Sequence, residues 1–423
     1  MTRSIAICVV ACLVGAFDAQ AGENWPGWRG PNRSGVSNAR GLPQTWSKTE
    51  GVQWTAELPG SGISNPIVWE DRVIVTSSDG PKQDELHIIC LNRVNGGKLW
   101  HSRLWGTSPT LCHGTKSTMA SPSPVTDGQH IYAFFGTGDL FCLDMEGRLA
   151  WQRALADEYG EFENRFAASS SPLLFEDTVI LQCDHYGQSY ALAVDKSTGQ
   201  NRWKTDRPEC WLSWSSPIVA PVMDQNGTTA KSHELILCGS EKVDALDPRT
   251  GEKLWTLGGF EHECIPTPLF GHGLILAVSG PNGVTHAIRP GGRGDIAATH
   301  VAWSSNKGAP FVPSGILVGD YYYLVNDQGI GTCLDARSGK EVWRKRLGGE
   351  YTASPVAADG KIYFTNEAGT TLVLQADTAA YVELAQNDIE EPVYASPAIS
   401  QGTFFLRAAG KLYAIGAGRA GEE

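Results

Sequence analysis

A tryptophan recurs about every fifty residues through this chain, at Trp54, Trp100, Trp151, Trp203, Trp255, Trp303 and Trp343. Each closes a similar phrase. The sharpest copies read AVDKSTGQNRW (Ala193 to Trp203) and ALDPRTGEKLW (Ala245 to Trp255). Looser ones end at Trp343, Trp100 and Trp151. Upstream of each phrase stands a second anchor, a Ser-Pro-like pair leading into an apolar run. Its proline column is Pro66, Pro124, Pro172, Pro217, Pro268, Pro355 and Pro397, with Gly315 standing in once. Acidic or glycine turns such as WEDRVIV and ADGKIYF follow, then a third apolar run, a Thr-Gly or Ser-Gly turn, and the tryptophan strand. Four short strands separated by turn residues make one antiparallel sheet, the blade of a β-propeller. The turn glycine supplies positive φ, and the preceding aspartate is expected to bond the turn's own amides.

Eight strand starts follow the anchor: Ile67, Val125, Leu173, Ile218, Leu269, Ile316, Val356 and Ala398. The reading is therefore all-β, an eight-bladed propeller over residues 51–416. The seventh repeat lacks its tryptophan, and Leu384 or Val382 is expected in its place. The eighth stops at Ile415 before any fourth strand. VQWTAEL (Val52 to Leu58) supplies the missing strand from the other end of the chain, so the N-terminal strand closes the ring and removes the exposed sheet edges.

Residues 1–21 read as a cleavable signal peptide: Arg3, the apolar stretch Ile5 to Phe17, then Ala19-Gln20-Ala21, with Gly22 as the first mature residue. No cysteine stands where a lipid anchor needs one, so a periplasmic or secreted protein without a transmembrane span is expected. Residues 22–50 form an N-terminal extension and 417–423 a C-terminal tail. A formal charge of −12 speaks against nucleic acid or anionic lipid as partner. Signal removal takes Cys8 and Cys12 with it. Cys90, Cys142, Cys333, Cys183 and Cys238 fall in apolar strands and read as core, whereas Cys112, Cys210 and Cys264 lie in connections, where no pairing is assignable.

The A-x-D-x-x-T-G-x-x-x-W phrase, complete at Ala193–Trp203 and Ala245–Trp255, resembles the tryptophan-docking motif of the pyrroloquinoline-quinone (PQQ) repeat family. The resemblance covers about residues 51 to 416. WPGWRGPNRSGVS (Trp25 to Ser37) and SWSSP (Ser213 to Pro217) are similar to segments of exported propellers of this PQQ-like kind. The family includes quinoprotein alcohol dehydrogenases and the BamB-type subunit of outer-membrane β-barrel assembly. It implies that each docked tryptophan packs between its own blade and the next. A dehydrogenase of the family would need a quinone, a calcium, an aspartate base and two adjacent cysteines. No Cys-Cys pair occurs here, and none of the family's metal or base residues matches a position in this chain. No catalytic, cofactor-binding or metal residue is assigned, and no cofactor is expected; a PQQ- and calcium-dependent dehydrogenase is the alternative.

Three local patterns read as ordinary structure. Glu261-His262-Glu263-Cys264 reads as a solvated loop rather than a metal site, Arg293-Gly294-Asp295 as a turn, and Asn226-Gly227-Thr228 as a sequon in a hairpin. Function is expected on the face where each fourth strand connects to the next blade. Several of those connections are long and polar or aromatic, and Trp211 and Trp214 fall outside the docking column. Trp211, Trp214, Arg207, His113 and Lys116 are the candidate surface for an unknown protein or small ligand. The expectation is a non-catalytic binding or scaffold module, a monomeric ring, with envelope protein assembly as one version.

Overall fold

The computed structural model describes residues 24–224, 230–280 and 283–416; the signal segment, the sequon and the C-terminal tail lie outside the described residues. Eight antiparallel sheets form the ring, and a single helical turn, Leu155–Tyr159, is the only α-helix among the described residues. The first four blades run from Ile67–Trp69 to Lys98–Trp105, Val125–Thr126 to Leu149–Ala154, Leu173–Phe175 to Asn201–Asp206 and Ile218–Met223 to Lys253–Gly258. Blades five to seven run from Leu269–Gly271 to Val301–Ser305, Ile316–Val318 to Glu341–Arg346 and Val356–Ala358 to Glu383–Asp388. The eighth begins at Ala398–Ser400 and is completed by Val52–Glu57, which pairs antiparallel with Lys411–Gly416. All eight strand starts and the N-terminal closure are as the sequence implied.

The register explains the repeat. Every docking tryptophan faces a small third-strand residue: Trp100 opposite Cys90, Trp151 opposite Cys142, Trp203 opposite Ala193, Trp255 opposite Ala245, Trp303 opposite Ala287, Trp343 opposite Cys333, and Trp54 opposite Ala414. A larger residue there would push the indole off the sheet. Five indoles then donate to a backbone carbonyl of the following blade's turn: Trp54 to Arg93, Trp100 to Met145, Trp151 to Lys196, Trp203 to Pro248 and Trp303 to Ala336, at 2.9–3.1 Å. The turn glycine has a second duty beyond its φ. A Cβ on Gly199 would lie 2.8 Å from the Trp151 ring, and one on Gly251 2.6 Å from the Trp203 ring. The turn aspartates behave as expected, Asp195 Oδ1 accepting the amides of Ser197 and Thr198, and Asp247 Oδ1 those of Arg249 and Thr250.

Blades four and five depart from the pattern. Trp255 donates to the buried Glu234 carboxylate of its own blade at 2.9 Å. Arg293-Gly294-Asp295 is not simply a turn: Gly294–Asp295 adds a fifth strand, parallel to Lys253–Gly258, with Gly294 beside Trp255.

In the seventh blade the docking position is neither Leu384 nor Val382. Ala385 occupies it, opposite Val373, so the usual large–small pair is inverted. The vacated volume is filled from outside the blade. Trp46, in the N-terminal extension and 6% exposed, lies 6.1 Å from Tyr363 of blade seven and 5.4 Å from Phe404 of blade eight. Tyr363 holds the register position that Tyr132 and Tyr323 hold beneath Trp151 and Trp343, also at 6.1 Å. Trp46 is thus an eighth docking tryptophan carried by a different segment. Asn387 fixes it, its Oδ1 accepting the Trp46 amide and its Nδ2 donating to the Gln44 carbonyl.

The rest of the extension crosses the inner strands. Trp25 pairs with Val68, Val36 with Ala357, and Gly27 lies against Val125. Arg29 donates to Gly315 O at 2.6 Å, and Arg33 to Pro172 O at 3.0 Å. Both guanidiniums are buried against carbonyls with no carboxylate, and burial lowers their pKa values to about 10 and about 9.

Candidate functional site

The residue before each proline-type position lines the inner ring. A proline cannot donate and biases its predecessor towards extended backbone, leaving that residue's amide free to reach sideways. The amides of Asn65, Ser123 and Ser171 donate to the hydroxyls of Ser123, Ser171 and Ser216, one blade onward. Those of Thr267, Ser314 and Ser354 donate likewise to Ser314, Ser354 and Ser396, all six bonds being 2.9–3.0 Å. The Ser-Pro signature therefore encodes a belt around the axis, a role the sequence pattern alone did not reveal.

Above this belt all eight blade-to-blade connections converge on one well of about 460 Å³. Its apolar wall carries Phe166, Trp214, Phe311 and Tyr394, and Trp28 reaches in from the N-terminal extension, its indole donating to Thr267 Oγ1 at 2.8 Å. The Phe166 and Trp214 rings are 6.0 Å apart, and His113 meets Phe166 edge-on at 5.4 Å. Lys116 is tied to Glu367 at 2.8 Å; burial opposes its charge, but the bond to Glu367 and its negative neighbours raise its pKa overall. Burial raises the Asp327 carboxyl, partly offset by the amides of Phe311 and Val312 that its Oδ2 accepts. Arg165 and Glu263 line the same well, and among the described residues neither has an ion-pair partner.

Of the five residues singled out from sequence, the fold brings His113, Lys116 and Trp214 together in the well. Trp211 is 44% exposed and stands outside it, edge-on to His262 at 4.8 Å. Arg207 does not present to a ligand at all. It is 5% exposed, with Nε 2.9 Å from Asp184 and Nη1 3.1 Å from Asp244; burial alone would lower its pKa, and the two carboxylates push it up instead. Trp214 is likewise no loose rim residue, being 8% exposed and donating to Ala167 O at 2.8 Å. Phe166, Trp28, Arg165 and Glu263 were missed, because connections of unequal length give no register to count from. Glu261-His262-Glu263-Cys264 is only partly solvated: His262 is exposed, Glu263 turns to the well and Cys264 is fully buried. The cysteines assigned to the core are buried, as is Cys210, and all eight of the described cysteines are free thiols.

The repeat family implies a quinone held with calcium, and the donor set does not fit one. Calcium takes roughly six to eight oxygen ligands, several from carboxylates. Here Asp327 is bonded to amides, Glu367 to Lys116, and no group of three or more His, Cys, Asp or Glu among the described residues could hold a metal ion.

These features define an eight-bladed propeller with an axial well. The sequence matches the family described as outer membrane protein assembly factor BamB over residues 36–256, 169–330 and 239–419, and the chain belongs to that family of PQQ-like repeat propellers. It is 25% identical over 298 residues to a tetrathionate hydrolase of Acidithiobacillus ferrooxidans, covering 66% of this chain and 53% of that one. It is 23% identical over 287 residues to a polyvinylalcohol dehydrogenase of a Pseudomonas species, covering 56% and 41%. The chain thus spans about half the length of these curated relatives. Among solved structures, BamB from Moraxella catarrhalis superposes with a TM-score of 0.61 at 14% identity, covering 87% of this chain and 98% of that one. The quinohemoprotein alcohol dehydrogenase from Comamonas testosteroni gives 0.65 at 14%, covering 96% and 83%. At such identities the likeness is one of fold. No helix among the described residues is long and apolar enough to cross a membrane.

Proposed function

We propose that this protein is an exported, non-catalytic binding module that receives its ligand in the axial well, with envelope protein assembly as the setting its family suggests. The observation that carries this reading is the convergence of all eight connections on an aromatic well with no metal-ligand set among the described residues. Eight independent loops shaping one receptacle give a half-open site in which an aromatic wall stands beside serine hydroxyls and charged groups, a concave mixture suited to a ligand. The signal-like N-terminus supports export, and His113, Lys116 and Trp214 supply part of the contact surface.

The competing assignment, a quinoprotein dehydrogenase, makes a different demand. Purified protein titrated with PQQ, with and without calcium, is expected to show no calcium-dependent saturable binding and no dye-linked oxidation of alcohols. Micromolar quinone binding that requires calcium and supports turnover would overturn the binding-module reading.

A further inference from the structure

Three successive connections give the well a directional chemistry. Arg165 lies on the connection from blade two to three, Trp214 on the next, and Glu263 on the one after that. The Arg165 guanidinium sits 5.0 Å over the Phe166 ring and makes no ion pair, and Glu263 makes none either, in contrast to Lys116 and its partner Glu367. An unpaired cation and an unpaired anion therefore flank an aromatic wall. The inner ring adds hydrogen-bond donors. Ser171, Ser216, Ser314, Ser354 and Ser396 each accept a backbone amide and keep a hydroxyl hydrogen with no acceptor among the described residues. Hydroxyl hydrogens meet carbonyl acceptors, opposite charges meet a ligand carrying both signs, and an aromatic wall meets an apolar side chain. One polymer carries all three at the spacing of adjacent residues.

Resting on the binding reading above, we infer that the well takes a polypeptide segment presenting an aromatic side chain between an acidic and a basic residue. The acid reaches Arg165, the base reaches Glu263, the ring packs beside Trp214 and Phe166, and the main-chain carbonyls meet the serine belt. A polyanion would satisfy Arg165 but meet the carboxylate of Glu263, and an uncharged sugar brings no opposite charge to either residue.

The probe is the blocked tripeptide N-acetyl-Asp-Phe-Lys-amide, titrated calorimetrically into the full mature protein beside its Asn-Phe-Lys, Asp-Phe-Gln, Asn-Phe-Gln and Asp-Ala-Lys counterparts. Each exposed charge pair is expected to contribute about fivefold, so the neutral peptide should bind roughly twentyfold more weakly. The alanine peptide should lose at least as much. R165Q should abolish the preference for Asp over Asn and keep that for Lys over Gln; E263Q should do the reverse. Both substitutions lie at the rim, and unchanged thermal melts verify that each variant is folded. Equal affinity for charged and neutral peptides, retention of both preferences in the two variants, or no binding of any of the five peptides overturns the inference. Those results leave the binding-module reading standing, whereas calcium-dependent quinone turnover removes it whatever the peptides do.

Discussion

Truncating Trp46 to alanine tests whether the seventh blade borrows its docking ring. A buried tryptophan removes about 150–250 Å² from water, which at about 25 cal/mol/Å² corresponds to about 4–6 kcal/mol. The alanine retains a part and the site relaxes somewhat, so a loss of about 3–5 kcal/mol is expected, as for other buried aromatic truncations. The same figure holds for Trp54→Ala, since the two indoles are 6% and 8% exposed. Phenylalanine separates them. The Trp46 Nε1 is buried and has no acceptor, whereas Trp54 donates to Arg93 O at 2.9 Å. Trp46→Phe thus loses volume only, while Trp54→Phe also forfeits a hydrogen bond, costing about 1 kcal/mol more. Equilibrium urea unfolding of the four variants, followed by far-ultraviolet dichroism, measures these differences. A Trp46→Ala protein unfolding at the wild-type midpoint would show that Trp46 only decorates the surface and that blade seven is packed without it.

Two further outcomes are expected. Trp211→Ala should cost under about 1 kcal/mol and Trp214→Ala about 3–4 kcal/mol, because only the second ring is buried and hydrogen-bonded; equal melts for the two would refute the placement of Trp214. His87 and His101 share a 3.0 Å ring–ring contact, and burial lowers both pKa values below the ordinary value of 6.5. The unfolded chain therefore takes up protons first, and the stability this pair contributes is full above about pH 6.5 and lost as pH falls below it. The stability difference between the wild type and His87→Gln should shrink from pH 7 to pH 5; a constant difference would exclude the pair as the source.

The propeller was legible because its repeat is a local pattern imposed many times. Apart from Trp54, whose partner Ala414 lies at the other end of the chain, each docking tryptophan and its small third-strand partner lie within one repeat, so spacing alone aligns them. The eight blades and their closure by Val52–Glu57 follow from that count. Trp46 was not legible. It obeys no period, and both Ala385, whose docking position it fills, and Tyr363, against which it packs, lie at the far end of the chain. Arg207 misled for a related reason. A charged residue in a polar connection looks solvent-facing, and only the fold reveals Asp184 and Asp244 around it. The well was half legible: its face followed from propeller geometry, but Phe166, Arg165 and Glu263 needed the loops' actual paths.

The serine belt is not one hoop but two arcs. It runs unbroken from Asn65 to Ser216 across blades one to four, and from Thr267 to Ser396 across blades five to eight. At the two joints other devices take over. Ser215 donates to Pro266 O and the Trp214 amide to Cys264 O at one, and Arg407 reaches Ser64 and the Thr76 carbonyl at the other. The inner hydrogen bonding of the ring thus changes character at two seams, and the N-terminal extension contacts blades on both sides of them. Trp25 and Arg33 hold the first half, while Trp28, Arg29 and Val36 hold the second. Residues 25–36 therefore couple the two arcs across the ring, so that loss of the extension would remove contacts to both at once.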